Sequence, residues 1–148
     1  RNILLRAVRR IQPDFFLSVD SDILLHKDAI TDLINAADES KVDAVCGPVF
    51  LDQTDRRFTN AAVIKARGGF TRVKHGSRAM VDVIMALKLM DIGAYNIDYS
   101  FSPFGEDFGW SADVKKSGLS MVYCGDKRPN KHVMKKEWLD IVDKRCGY

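Results

Sequence analysis

Phe15-Phe16-Leu17-Ser18-Val19-Asp20-Ser21-Asp22 is an apolar, β-favouring run that stops on two carboxylates. Residues i and i+2 of an extended chain project to the same side. Asp20 and Asp22 are therefore expected to aim at one point, just past a strand's carboxyl end. Open α/β sheets bind their ligands there. Two close oxygen ligands suit a Mg²⁺ or Mn²⁺ ion that carries phosphate groups. Asp and Ser are also ordinary turn residues, so the pair alone does not separate a metal-binding turn from a plain one.

The rest of the composition narrows the class. A chain of 148 residues with 46% hydrophobic and 29% charged residues fits one globular domain, 1–148. The longest unbroken apolar stretch, Val83 to Leu87, is too short for a transmembrane segment. No charged region followed by an apolar one opens the sequence, so no signal peptide is expected. The first residue is Arg1 rather than Met, which suggests a partial or excised product. Net charge is +3, and basic residues concentrate only at Lys127, Arg128, Lys131, Lys135 and Lys136. No aromatic platform interleaves with them, so no nucleic-acid partner is expected. Cys46, Cys124 and Cys146 lack zinc-ligand spacing, and the first two read as small core residues.

Ile3, Leu4, Ala7, Val8 and Ile11 fall at helical spacing, and Pro13 ends that helix. The strand 15–19 follows, then a helix capped by Asp28 with a stripe of Ile30, Leu33, Ile34 and Ala37. Residues 42–51 read as a second strand, with Pro48 at a bend or edge. Helix, strand, helix, strand predicts an α/β fold with a mainly parallel sheet flanked by helices. Residues 52–60 read as a loop, and Gly68-Gly69 as a tight turn between extended stretches. Periodicity leaves 80–90 open between helix and strand; the β-branched Val81, Val83 and Ile84 favour a strand. An aromatic-rich loop is expected over 91–104, and a helix from Gly105-Glu106-Asp107 to a C′ glycine at Gly118. A last strand covers 119–124, and Trp138, Leu139, Ile141 and Val142 suggest a closing helix.

Three features stand in chain order: Asp20-Ser21-Asp22 after a strand, Glu106-Asp107 at a helix start, and His132 after a strand. Together they resemble the GT-A glycosyltransferases, which use nucleotide-diphospho-sugars, over about Ile3 to His132. The resemblance implies that Asp22 ligates Mn²⁺ or Mg²⁺ directly, and that Asp20 meets the metal through water or the donor's ribose. Ser21 shares the donor-binding turn. By the same resemblance His132 would be the third metal ligand, and Lys131 and Arg128 would neutralise phosphate. Asp107 would be the general base of an inverting transfer, and Glu106 would bind the acceptor hydroxyl. Trp110 would contact the acceptor, and Asp82 would line the donor sugar. The acceptor would be a hydroxyl-bearing glycan, protein or lipid. The family has a strand–helix–strand portion before its acidic motif, whereas one helix precedes Phe15 here. The resemblance thus implies a catalytic domain truncated at its amino terminus, about its C-terminal two-thirds, with poor stability and weak donor binding in isolation.

Two other readings use the same residues. Haloacid-dehalogenase-like phosphatases also place Asp-x-Asp after an apolar strand, with the first Asp as nucleophile. Gly125-Asp126 fits their later motif, but Asn130 stands where a second acid is expected, and Leu24 replaces their Thr or Val. A non-catalytic sugar-nucleotide-like binding module is the third reading.

Overall fold

The computed structural model describes residues 1–50 and 59–133. In chain order it contains α1 (Asn2–Ile11), β1 (Phe16–Val19), β2 (Ile23–Leu24), α2 (Ala29–Ser40), β3 (Ala44–Cys46), β4 (Ala61–Ile64) and β5 (Phe70–Arg72). There follow β6 (Arg78–Met80), β7 (Val83–Ile84), β8 (Leu87–Met90), α3 (Ile92–Tyr95), α4 (Glu106–Lys116), β9 (Met121–Cys124) and β10 (Lys131–His132). The expected closing helix and most of the expected 52–60 loop lie outside the described residues.

The central sheet has the order β1-β8-β3-β9-β6. Among its described strands β3 and β9 pair in parallel, and β1–β8, β8–β3 and β9–β6 are antiparallel. The mainly parallel sheet expected from the sequence is therefore corrected to a mixed one, mostly antiparallel. The physical reason lies in the run 80–90. It is neither one strand nor one helix, but is cut into β6, β7 and β8. Ala86, at φ 62°, breaks it in the left-handed region, and Leu87 N–H donates to the Met85 carbonyl at 2.7 Å. The returning β8 then inserts antiparallel between β1 and β3, where a parallel neighbour was expected.

Strand periodicity sorts the core onto two faces. Val45, Leu87, Leu89, Val122 and Cys124 pack with Leu33, Ala36 and Ala37 of α2. Ala44, Cys46, Met90, Met121 and Tyr123 pack on the other face with Leu5, Trp110 and Val114. The buried residues of α2 are Ala29, Leu33, Ala36 and Ala37, so the stripe is turned from the expected one and Ile30 is exposed. Alanines let the helix backbone sit close to the sheet. α1 departs further: Ile3 and Ile11 are 81% and 76% exposed, and Leu5 is the buried residue. Polar bonds fix this helix instead. The Asn2 amide donates to the Tyr99 carbonyl and accepts from Tyr99 N–H, and Arg9 Nε donates to the Tyr95 carbonyl.

A second sheet, β5-β4-β7, is antiparallel, and Gly68 and Gly69, at φ 85° and 75°, close the predicted turn between β4 and β5. The second predicted strand shortens to β3, because Gly47 and Pro48 follow it directly. The 91–104 loop holds the short helix α3, capped by Asp91, whose carboxylate accepts from Ala94 N–H at 2.9 Å. No described helix is long and apolar enough to cross a membrane.

Asp82 ties the two sheets to α4. Its Oδ2 accepts from Ile64 N–H at 2.6 Å, and its Oδ1 pairs with Lys115. Burial alone would raise this carboxyl, but the bonds from Lys115 and Ile64 outweigh it and hold it below its ordinary 3.8. A folded-state value below the unfolded one contributes stability above the ordinary carboxylate range, and that contribution disappears as pH falls through the folded value. Urea melts stepped from about pH 5 to about pH 2 should show a steeper acid loss in the parent than in Asp82→Asn. Equal slopes would show that the pair contributes nothing.

Candidate functional site

The acidic turn is built as the sequence suggests. Asp20 N–H donates to the Ala86 carbonyl at 2.8 Å, and Ile23 N–H returns to the Asp20 carbonyl at 3.1 Å. The chain thus leaves β1, turns through Ser21 and Asp22, and enters β2. β10 pairs antiparallel with β2, placing His132 opposite Ile23. Val133 N–H donates to the Asp22 carbonyl at 2.7 Å, and His132 Nε2 lies 3.2 Å from Asp22 Oδ2, across 110 residues of sequence. Asn130 anchors this arm: its side chain accepts from His26 N–H at 3.1 Å and donates to the Pro48 carbonyl at 3.3 Å. The position where a phosphatase would carry a second acid is therefore a buried structural amide.

Asp20 faces another way. Arg1 gathers three carboxylates: Nη2 on Asp20 at 2.6 Å, Nε on Glu106 at 2.8 Å, and Nη1 on Asp107 Oδ1 at 2.6 Å. Burial would lower the Arg1 guanidinium, but Asp107, Asp20, Tyr99 and Glu106 outweigh it and raise it. Burial lifts Asp20 above the ordinary carboxylate range; Arg1 opposes the lift, and Asp107 and Asp22 add to it. The shared aim of Asp20 and Asp22 is thus corrected: Asp22 turns to His132 and Asp20 to Arg1. Among the described residues, no three His, Cys, Asp or Glu side chains gather closely enough to hold a metal ion. Asp22 and His132 meet as a pair, through His132 Nε2 and Asp22 Oδ2.

Lys88 is the residue that the sequence reading missed. It lies mid-strand on β8, opposite Ser18 and Cys46, and is fully buried. Its ammonium pairs with Asp107 Oδ1 and sits 4.8 Å from the Tyr99 ring centroid and 5.1 Å from that of Trp110. Cation–π attraction and the ion pair replace its lost hydration. The signal was present: a single lysine inside Val83–Met90, flanked by Leu87 and Leu89.

The helix start is also fixed by close approach. Gly105, at φ 105°, caps α4, and a Cβ on Gly109 would meet the Ser100 carbonyl oxygen at 2.2 Å. α4 therefore lies directly on the 99–101 segment. Between them and α1 opens a cleft of about 400 Å³, lined by Arg1, Asn2, Tyr99, Phe101 and Glu106 among others.

The remaining predicted residues divide. Ser21, Arg128 and Lys131 are exposed near the acidic turn and β10. Trp110 is fully buried and stacks on Tyr99 at 5.8 Å, so its expected contact with an acceptor is corrected to a core role beneath Lys88. Asp82 binds Lys115 in the last turn of α4, whereas the acid pair opens the first turn. It is not gathered with the other site residues.

No family model and no curated protein sequence matches this chain. Among solved structures it is similar to A197 from STIV, with a TM-score of 0.66 and 16% identity. The match covers 92% of this chain and 66% of that one, so this chain spans just under two-thirds of A197's length. At that identity the likeness concerns fold alone. The resemblance to the GT-A glycosyltransferases is corrected accordingly. The sheet is mixed, no family model supports membership, and the similar structure carries no such designation.

Removing one partner of a buried ion pair strands the other charge, at a cost of about 3–5 kcal/mol. Asp107→Ala should lower unfolding stability by about that much. Lys88→Met combined with Asp107→Leu should recover most of the loss in urea melts. A double variant no better than Asp107→Ala would show that Lys88 is not the group being stranded.

Proposed function

We propose that this chain carries the site of a metal-assisted transfer of a glycosyl group from a nucleotide-diphospho-sugar to an acceptor hydroxyl. One observation carries the reading. Asp20, two residues from the Asp22 that meets His132, shares the Arg1 guanidinium with Glu106 and Asp107 at the entrance of α4. On this reading the Asp22–His132 end takes the donor and the Glu106–Asp107 end the acceptor.

Asp22 and His132 would hold Mg²⁺ or Mn²⁺, which offsets charge on the departing diphosphate. Arg1 adds a guanidinium at the junction, a group suited to phosphate oxygens. Glu106, the more exposed of the acid pair, orients the acceptor. Both cations on Asp107 bind Oδ1, which leaves Oδ2 to take the acceptor's proton. The acceptor oxygen bonds to the anomeric carbon as the bond to the diphosphate oxygen breaks, and the proton passes to Asp107. A single displacement of this kind inverts the anomeric centre.

Calorimetry with Mn²⁺ and a panel of nucleoside diphosphates tests the donor end. Asp22→Ala and His132→Ala should each weaken metal-dependent binding at least about tenfold. Asp107→Asn, checked for folding, should keep that binding and lose turnover. Parent-like binding by Asp22→Ala would overturn the reading.

A further inference from the structure

α1 carries an apolar face that points into water. With the buried Leu5 set at 0°, a spacing of about 100° per residue puts Ile3, Ala7, Ile11 and Leu4 between about 160° and about 260°. They form one stripe opposite Leu5. Ile3, Leu4 and Ile11 are 81%, 63% and 76% exposed, and Ala7 is exposed with them. Phe101 is 93% exposed and lines the same cleft as Ile3. Two separate elements, α1 and the 99–101 segment, thus hold apolar side chains out from the surface at one cleft. Apolar exposure gathered in this way marks a site of association with a protein or a membrane.

The charges beside the stripe favour one occupant. Arg1 and Arg9 fall on the Leu5 side and are paired, Arg1 with Asp20, Glu106 and Asp107, and Arg9 with Asp98. Arg6 and Arg10 fall at about 100° and about 140°, next to Ile3. Both are exposed, and among the described residues neither pairs with a carboxylate. α1 contains no acidic residue of its own. In a two-fold dimer the same patch meets itself. A second copy on this face would therefore bring four unpaired guanidiniums together with no carboxylate from α1 to meet them, and like charges across an interface oppose association. An anionic lipid surface answers both parts: its acyl boundary takes the stripe, and its headgroup phosphates take the guanidiniums. α1 is also mounted for this contact. Leu5 and Val8 seat it on the core, and Asn2 and Arg9 tie it to backbone carbonyls, so the stripe faces outward along the whole helix.

We infer that α1 and Phe101 dock the protein on an anionic lipid bilayer. Ile3, Leu4, Ile11 and Phe101 enter the acyl boundary, and Arg6 and Arg10 meet headgroup phosphates. The docking stands apart from the transfer reading and needs neither metal nor donor. The full chain is sedimented with vesicles of phosphatidylcholine alone and with vesicles of equimolar phosphatidylcholine and phosphatidylglycerol. Binding should favour the phosphatidylglycerol vesicles and weaken as salt is raised. Arg6→Gln with Arg10→Gln should weaken it by about 25-fold, about fivefold for each charge. Ile3→Ser with Ile11→Ser should weaken it at least about tenfold at unchanged charge. Lys27→Gln with Lys41→Gln removes the same charge beside the two ends of α2, which packs on the opposite face of the sheet, and should leave binding near the parent's. All six positions are exposed, and urea melts check that each variant folds as the parent does. Absence of binding to the phosphatidylglycerol vesicles would overturn the inference. So would parent-like binding by the isoleucine variant, which would leave charge adhesion alone. An equal loss in the lysine and arginine variants would overturn it too, since net charge rather than α1 would then govern binding. A lipid-free self-association that the isoleucine variant abolishes would make a second copy the occupant and overturn it as well.

Discussion

Lys88 is fully buried and meets its counter-charge in Asp107, on the first turn of α4. That pairing constrains much else. β8 must place its lysine on the face that α4 covers, which fixes the register of β8 against β1 and β3. Tyr99 and Trp110 must lie over the ammonium, which fixes the 99–101 segment against α4. Asn2 is bonded to Tyr99 at both ends of its amide, so α1 and Arg1 are positioned in turn. A buried charge is a poor source of net stability but a strict selector of geometry. Here it selects the orientation of Asp107, the carboxylate we propose as the base.

The sequence made the local pieces readable where a short-range rule governs them. The β1 strand, the acidic turn, the Gly68-Gly69 turn and the helix between Gly105 and Gly118 follow from alternation, glycine conformation and capping. Strand direction was not readable. β8 returns antiparallel between β1 and β3 because of a break at Ala86, and alanine carries no turn signature. Nor was the face of α1 readable, because Asn2 and Arg9 hold it through backbone carbonyls while Ile3 and Ile11 stay in water.

The positions of the candidate residues were readable in part, and their pairings were not. Asp22 and His132 do meet, through the β2–β10 ladder. Asp20 does not join them, because Arg1 lies closer to it than any metal rule could anticipate. Trp110 was assigned outward on residue type, but helix phase turns it inward with Val114. Lys88 was passed over because an apolar run was read as uniform. Residue type proposes a role, and the cross-chain partner settles which atom is available to perform it.

The two ends of the site differ in what holds them. Asp107 is seated against the central sheet, so shifting it disturbs the largest packed layer of the molecule. His132 hangs on a ladder of two residue pairs, stitched at its base by Asn130. The imidazole arm can therefore be displaced by breaking one short ladder, whereas the carboxylate moves only with the packed layer beneath it.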